Sequence, residues 1–415
     1  MSKRANKLLL LIGLSSLLLQ GFYDPVESKS DVNLGKKLDV LIDNAIAQNL
    51  IVGLVLIVKH DQKILYKRAA GFLDKEKSIK MPENAIFRYS SMSKPITIAT
   101  ALSLADRGII DMSEPVSKYL PYFTPTTDLK PVAITLEQLA SHTSGLDYPF
   151  IEAPDGPYHK ANITDGLMED PFSYDENLRR LSTIPLLFEP GKGFRYSISI
   201  DVLGKVIEAA TKQPLEKSIS TSIAKPLKMK DLTFTVKKKQ LNRLTLPYCN
   251  TTGGAKLMGK NQFVAFGGSG FVFSPSRATD KTAFQSGGSG LCGTASEYMH
   301  FIDYLQTQQV MSKIRSGGYP VSFGKGWEFG YCGAILTDPK LARSCQNKGT
   351  MAWGGAYGHT WFCDPEAKIS VVCMTNTTPY ALQGAFPDSI RDVVYNCLTK
   401  KFDKKIQLKA RNTNE

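Results

Sequence analysis

The fold turns on Met81-Pro-Glu-Asn-Ala-Ile-Phe-Arg-Tyr-Ser-Ser91-Met-Ser-Lys94-Pro-Ile-Thr-Ile-Ala-Thr-Ala-Leu-Ser-Leu-Ala-Asp-Arg107-Gly108. From Ser91 to Arg107 the stretch has the pattern of a helix. Ile96, Ile98, Ala99, Ala101, Leu102 and Ala105 cover nearly its whole circumference, which predicts a buried helix. Pro95 falls in the first turn, where a missing N–H is tolerated, and Gly108 supplies the stop. Ser91 and Lys94, three residues apart, share one face of that helix. The amine can then take the hydroxyl proton, and the helix N-terminus favours an anionic nucleophile and oxyanion. The S-x-x-K spacing alone is weak, because Ser222-Ile-Ala-Lys225 and Ser322-Phe-Gly-Lys325 share it. Only Ser91 opens a long apolar helix. Ser222 precedes Pro226 at a helix end, and Ser322 lies among glycines.

Working outward, residues 38–46 carry apolar groups at helical spacing. Residues 53–58 (Gly-Leu-Val-Leu-Ile-Val) fit a buried strand, and residues 64–66 follow across the polar turn His60-Asp61-Gln62 as a hairpin partner. Residues 110–285 hold helix-like segments, such as 201–211, separated by loops rich in Pro, Gly and Asp. Beyond 285 the pattern predicts a helix over 296–306, strands over 326–335 and 369–375, and a final helix over 388–398. Strands at both ends of a mostly helical middle imply one sheet built from both termini. No internal repeat or low-complexity tract interrupts this plan.

With 42% apolar and 21% charged residues the body of the chain is globular. Lys and Arg outnumber Asp and Glu 51 to 38, an excess that suits contact with an anionic cell wall or membrane surface, though the plainer reading is a solvated basic face with no specific partner. No arginine-rich run or zinc-finger spacing points to nucleic acid. Lys3, Arg4 and Lys7 precede an apolar run from Leu8 to Leu19, the pattern of a secretory signal peptide over residues 1–22, with membrane anchoring as the alternative. An exported, periplasmic or secreted protein follows. Residues 400–415 form a basic polar tail. All seven cysteines lie between Cys249 and Cys397. In an oxidising compartment Cys332–Cys345 is the best candidate pair. No C-x-x-C exists and the histidines are scattered, so neither a metal nor another cofactor is expected.

Several ordered landmarks carry a resemblance. Gly71-Phe-Leu-Asp74 and the run from Met81 to Lys94 come first. Asp106-Arg-Gly-Ile-Ile-Asp-Met-Ser-Glu-Pro-Val-Ser-Lys-Tyr-Leu-Pro121 and Ile134-Thr-Leu-Glu-Gln-Leu-Ala-Ser-His-Thr-Ser-Gly-Leu146 follow. Together they resemble the serine β-lactamase/penicillin-binding-protein superfamily over residues 36–398. The resemblance implies an α+β, β-lactamase/transpeptidase-like fold: an antiparallel sheet flanked by helices, drawn from about 36–90 and 285–398, with a mostly helical inserted region over 91–285. It also implies Ser91 as nucleophile and Lys94 as its proton-handling partner.

Pro190-Gly-Lys-Gly-Phe-Arg-Tyr-Ser-Ile-Ser199 resembles the family's second motif, which assigns Tyr196 the proton exchange with nucleophile or leaving group. Ile198 stands where many lactamases and peptidases have an Asn that holds an amide substrate. Tyr196-Ser-x-x-x-Asp201 is closer to the family VIII carboxylesterases. Trp353-Gly354-Gly355-Ala356-Tyr357-Gly358 falls where the family has K-T-G or H-T-G on the strand lining the cleft. The glycines suit close approach of backbone to substrate, and Trp353 offers an apolar wall where a Lys would anchor a carboxylate. The oxyanion hole implied is the N–H of Ser91 with that of Gly355 or Ala356.

Ile198, Trp353, Gly354, Gly355 and Ala356 are therefore the expected substrate-binding residues. His142 is a possible triad base, but in this landmark the resemblance makes it structural. His359, close after the W-G-G segment, could line the cleft. Gly287-Gly-Ser-Gly-Leu291 could suggest a phosphate loop; it lacks the lysine, and the family uses a similar element as structure. A carboxylesterase or acyltransferase on small acyl esters is the favoured expectation. A D-alanyl carboxypeptidase, D-aminopeptidase or β-lactamase acting on a peptide-like acyl substrate is the rival, and a silent binding protein is the third. Oligomeric state is open.

Overall fold

The computed structural model describes residues 29–399, apart from 129, 170–171, 267–268 and 322. The leader segment, the basic tail and Ser322 of the third S-x-x-K lie outside the described residues. The sheet contains β1 (Gly53–His60), β2 (Lys63–Asp74), β3 (Ile79–Lys80), β4 (Trp327–Gly330), β5 (Gly333–Leu336), β6 (Met351–Gly355), β7 (His359–Asp364) and β8 (Ile369–Thr375). Their order is β4-β5-β6-β7-β8-β1-β2-β3, antiparallel throughout. The two ends of the chain meet where β1 pairs with β8, from Leu54 opposite Thr375 to His60 opposite Ile369.

The helices that frame this sheet and the site are α1 (Lys29–Ala47), α2 (Ser93–Asp106), α3 (Ser199–Thr211), α4 (Ala295–Thr307) and α5 (Ala385–Leu398). Side chains alternate across a strand, and β1 divides its apolar run between two cores. Leu54, Leu56 and Val58 pack with Leu34, Leu38 and Ile42 of α1 and Phe386, Ile390 and Val394 of α5. Val55 and Ile57 face the other way, into the core shared with α2, α3 and α4. Burial on both faces is why this strand is apolar at every step and not at every second one.

In the sheet, the inserted region and the cysteines the structure departs from the expectations. Residues 326–335 are a hairpin, with β4 and β5 joined by the turn at Tyr331-Cys332 and Gly330 paired with Gly333. The inserted region holds two hairpins beside its helices, Tyr248–Thr251 with Gly254–Leu257 and Gln262–Phe266 with Ser269–Phe273. All seven cysteines are free thiols. Cys332 is buried in the core on the α2 side of the sheet, whereas Cys345 packs on the α1 side, so the sheet itself separates the expected pair. No helix among the described residues is long and apolar enough to cross a membrane.

His359 opens β7 and ties the sheet to the segment leading into Ser91. It is 1% exposed, and its Nε2–H donates to the Arg88 carbonyl at 2.8 Å. It is thus a buried brace and does not line the cleft. Burial pushes its pKa from 6.5 down to about 4. The unfolded chain therefore takes up a proton that the fold resists, so this contribution to stability is full above about pH 6.5 and is lost as pH falls towards 4. His359→Gln keeps a donor but does not titrate. Paired thermal melts should show the variant less stable than wild type at pH 7, with the gap narrowing by up to about 3 kcal/mol on acidification to pH 4. A gap independent of pH would contradict this account of His359.

Candidate active site

Ser91 is delivered by a short strand and a strained corner. Phe87–Arg88 pairs with Cys292–Gly293, and the Tyr89 N–H donates to the Leu291 carbonyl at 2.8 Å. Ser90 then takes φ +49°, a left-handed conformation that few non-glycine residues adopt. A 3-10 turn over Ser90–Met92 leads directly into α2. The helix is buried continuously from Ser93 to Ala101, as its all-round apolar pattern requires. Of the residues in this corner, Ser91 keeps partial exposure while Ser90, Met92 and Ser93 are buried.

Lys94 is 3% exposed. Its Nζ lies 3.3 Å from Ser91 Oγ and donates to the Gly288 carbonyl at 2.9 Å. The same nitrogen sits 4.8 Å from the ring centroid of Tyr196 and 5.1 Å from that of Tyr148. Ser91, Lys94 and Tyr196, singled out from the sequence, thus converge on one point. Tyr196 Oη is buried and makes no hydrogen bond among the described residues. A buried hydroxyl of this kind is normally satisfied by water or by a ligand.

The Ser-His-Thr-Ser-Gly landmark holds Tyr196 in place. The Arg195 N–H donates to the His142 carbonyl at 2.9 Å, and the Ser197 N–H donates to His142 Nδ1 at 3.1 Å. His142 therefore clamps the chain on both sides of Tyr196, with the two rings 4.7 Å apart. With Nδ1 used as an acceptor it offers no base to Ser91. Burial, and then the charge of Lys94, hold this imidazole well below its ordinary pKa. Arg195 adds a two-pronged ion pair to buried Asp147, at 2.6 and 2.9 Å. Ser144, Ser197 and Ser199 link their hydroxyls at 2.7 Å per contact.

Asp201, Gly288 and Tyr148 complete the site, and the sequence reading did not assign them to it. Asp201 is 2% exposed on α3. Its carboxylate accepts from the Ser286 hydroxyl, from the Gly288 N–H at 3.2 Å and from Tyr148 Oη at 3.4 Å. Burial raises its pKa, against the opposing pull of Lys94. The glycine loop 287–291 is thus the part that carries Lys94. Gly287 accepts from Thr97, Gly288 grips the lysine, and the Leu291 N–H donates to Ser93 Oγ. The available signal was an acid inside the apolar run Ile200 to Leu203 that opens α3, a position where charge is seldom buried without a partner.

The end of β6 lies against the corner before Ser91. A Cβ on Gly355 would stand 2.2 Å from the Tyr89 carbonyl oxygen, so glycine is required for this approach. Trp353 is half-buried, 5.1 Å from Tyr196 and 4.9 Å from Phe329, and Gly354 is also partly open, whereas Ala356 is buried. Ile198 departs from the expected cleft position. Its side chain is 0% exposed within the main core, where an apolar group at the start of α3 is driven, so it offers no surface to a substrate. Ser222 of the second S-x-x-K accepts from Arg107 at the surface, away from this cluster. Among the described residues no group of three or more His, Cys, Asp or Glu is placed to hold a metal ion.

Comparison with known proteins places this geometry. Residues 38–392 match the family model described as Beta-lactamase. Esterase EstB from Burkholderia gladioli is 36% identical over 386 residues, spanning 90% of this chain and 98% of that protein. The solved structure of EstCE1, described as a hydrolase with promiscuous acyltransferase activity, has a TM-score of 0.85 at 35% identity and covers 89% of this chain and 100% of its own. Unliganded simvastatin synthase LovD from Aspergillus terreus has a TM-score of 0.67 at 18% identity over 90% of this chain and 100% of its own, a likeness of fold alone.

The route from Asp201 through Gly288 to Lys94 can be tested at its narrowest point. A Cβ on Gly288 would stand 2.3 Å from Asp201 Oδ2 and 3.0 Å from Tyr148 Oη. Gly288→Ala must therefore displace the loop that grips Lys94. Displacements near 1 Å at a reacting group cost about 10²-fold in rate. The expected outcome is a folded variant whose kcat falls about 10²-fold with little change in KM. Wild-type kcat in a folded Gly288→Ala protein would sever the link between this loop and Lys94.

Proposed function

The chain belongs to the beta-lactamase family, and on that premise we propose that it is a serine carboxylesterase/acyltransferase forming an acyl-enzyme on Ser91. The observation that carries the reading is Lys94 Nζ lying between Ser91 Oγ and the face of Tyr196, whose own hydroxyl is unpaired. Lys94 and Tyr196 take the Ser91 proton as Oγ bonds to the ester carbonyl carbon. The carbonyl oxygen becomes an oxyanion facing the N–H of Ser91 and that of Gly355 or Ala356. Such donors are typically worth about 10²–10³ in rate each. The ester C–O bond then breaks, and Tyr196 returns the proton to the leaving alcohol. Water or a second alcohol attacks the acyl-enzyme by the reverse sequence and frees Ser91.

Two features support esters over amides and β-lactams. Trp353 occupies the strand position where a cation would anchor a substrate carboxylate. Ile198 is an apolar core residue where an amide side chain would hold an amide substrate. Small acyl esters are the substrates this cleft suits. The relatives named above, an esterase and a hydrolase with acyltransferase activity, point the same way.

Initial rates on p-nitrophenyl butyrate and on a chromogenic cephalosporin, for wild type and Ser91→Ala, test the reading. Ester turnover should dominate and fall by about 10³-fold or more in the variant. Labelling by a fluorophosphonate should vanish with it. Dominant Ser91-dependent cephalosporin turnover would instead assign a lactamase or peptidase. Labelling that persists at another serine would remove Ser91 from the mechanism.

A further inference from the structure

A row of aromatic rings leads from Lys94 out to solvent. The Tyr196 ring, beside Lys94 Nζ, is 5.1 Å from Trp353. Trp353 stacks on Phe323 at 5.6 Å and 28°. Phe323 meets Trp327 edge-on at 4.8 Å. Exposure rises from 8% at Tyr196 through half-buried Trp353 to 42% at Phe323, and half-buried Trp327 supports Phe323 from behind, packed against the core on the α1 side of the sheet. A ring at the start of a row that ends on the catalytic lysine has a reason to be exposed that an isolated surface ring lacks.

The backbone beneath these rings is shaped for them. A Cβ on Gly333 would lie 2.9 Å from both the Ala352 carbonyl oxygen and Trp353 Cβ, and 3.1 Å from Trp353 Cγ, so glycine is what lets β5 approach Trp353 this closely. Phe323 rides on a loop with left-handed glycines on both sides, Gly317, Gly318, Gly324 and Gly326, at φ +64°, +79°, +112° and +81°. The far end of the loop is pinned, because the Gly326 carbonyl accepts from the N–H groups of Thr337 and Asp338 at 2.9 and 3.0 Å.

We propose that Trp353 and Phe323, the latter held in place by Trp327, form a subsite for a planar apolar group of the ester, an aryl ring carried on the acyl or the alcohol side. The proposal rests on the reading of Ser91 as the nucleophile of an ester hydrolase. The rings supply rigid apolar area and edge or face contacts that a flat group can complete. A short aliphatic ester reaches Ser91 without touching the outer part of the row. The subsite therefore acts on preference among esters, through binding, and takes no part in the bond-making step.

The test is kcat/KM for ethyl acetate, benzyl acetate and ethyl phenylacetate, on wild type, Phe323→Ala, Phe323→Leu and Trp327→Ala. Wild type should prefer at least one aryl ester over ethyl acetate. That preference should fall about 3- to 10-fold in Phe323→Ala, carried by KM, and less in Phe323→Leu. Loss on benzyl acetate places the alcohol on the rings; loss on ethyl phenylacetate places the acyl group there. The same aryl preference in wild type and all three variants would overturn the subsite. Failure of the underlying reading looks different: none of the three esters turns over, and Ser91 takes no fluorophosphonate label.

Discussion

A lysine side chain held out of water constrains the rest of this molecule. Lys94 is 3% exposed, and around its nitrogen stand one carbonyl, one hydroxyl and the faces of two tyrosines. A long cationic side chain is seldom buried so completely without a charged partner in contact. Here the carboxylate of Asp201 acts at one remove, through the loop whose Gly288 carbonyl takes the lysine proton donor. The enclosure follows from this: α2 is buried from Ser93 to Ala101, α3 brings Asp201 in, and Gly287 and Gly288 carry no side chain that would push the three apart. Gly287 shows the same constraint, since a Cβ there would be 2.7 Å from the Ile200 carbonyl oxygen.

The site is also a product of the topology. Ser91 comes from the N-terminal part of the chain, Tyr196 from the inserted region, and Gly355 from a strand near the C-terminus. They meet because β1 pairs with β8 and so closes the sheet across more than 300 residues of sequence, with Leu54 opposite Thr375. His359 then fixes β7 to the Arg88 carbonyl, three residues before the nucleophile. Contacts of such separation carry a large loop-closure cost that only the many pairings of the sheet repay together. The catalytic geometry exists only in the completed fold, which explains why buried braces far from the chemistry can matter to it.

What the sequence made legible was local. The all-round apolar pattern after Ser91 announced a buried helix, and the apolar run at residues 53–58 announced a strand buried on both faces. Resemblance of ordered landmarks supplied the rest of the trio. The non-local features stayed hidden. A two-residue turn at Tyr331-Cys332 interrupts no apolar pattern, so one strand was expected where β4 and β5 form a hairpin. Cys332 and Cys345 are close in sequence, but nothing in their spacing tells that the sheet lies between them. Ile198 follows Tyr196 by two residues and was expected to share its cleft, yet the start of α3 turns it into the core. Asp201 and Gly288 could be joined to Lys94 only once the fold brought residues 94, 201 and 288 together.

The division of the site into a polar side and an aromatic side bears on the two fates of an acyl-enzyme. On the proposed mechanism Ser91, Lys94 and Tyr196 exchange the proton while Gly288 and Asp201 hold the lysine, and they treat any hydroxyl alike, whether it belongs to water or to an alcohol. On the proposed subsite, Trp353 and the ring beyond it discriminate. Water gains nothing from them, whereas an alcohol with an apolar body is held beside the acyl group, and holding a reactant in place is worth far more than its bulk concentration. The surface that selects an ester by its apolar part is therefore the same surface that lets an alcohol compete with water. On this reading hydrolysis and acyl transfer are one reaction on Ser91, and the outcome is set at the aromatic side of the cleft by what the acceptor carries besides its hydroxyl.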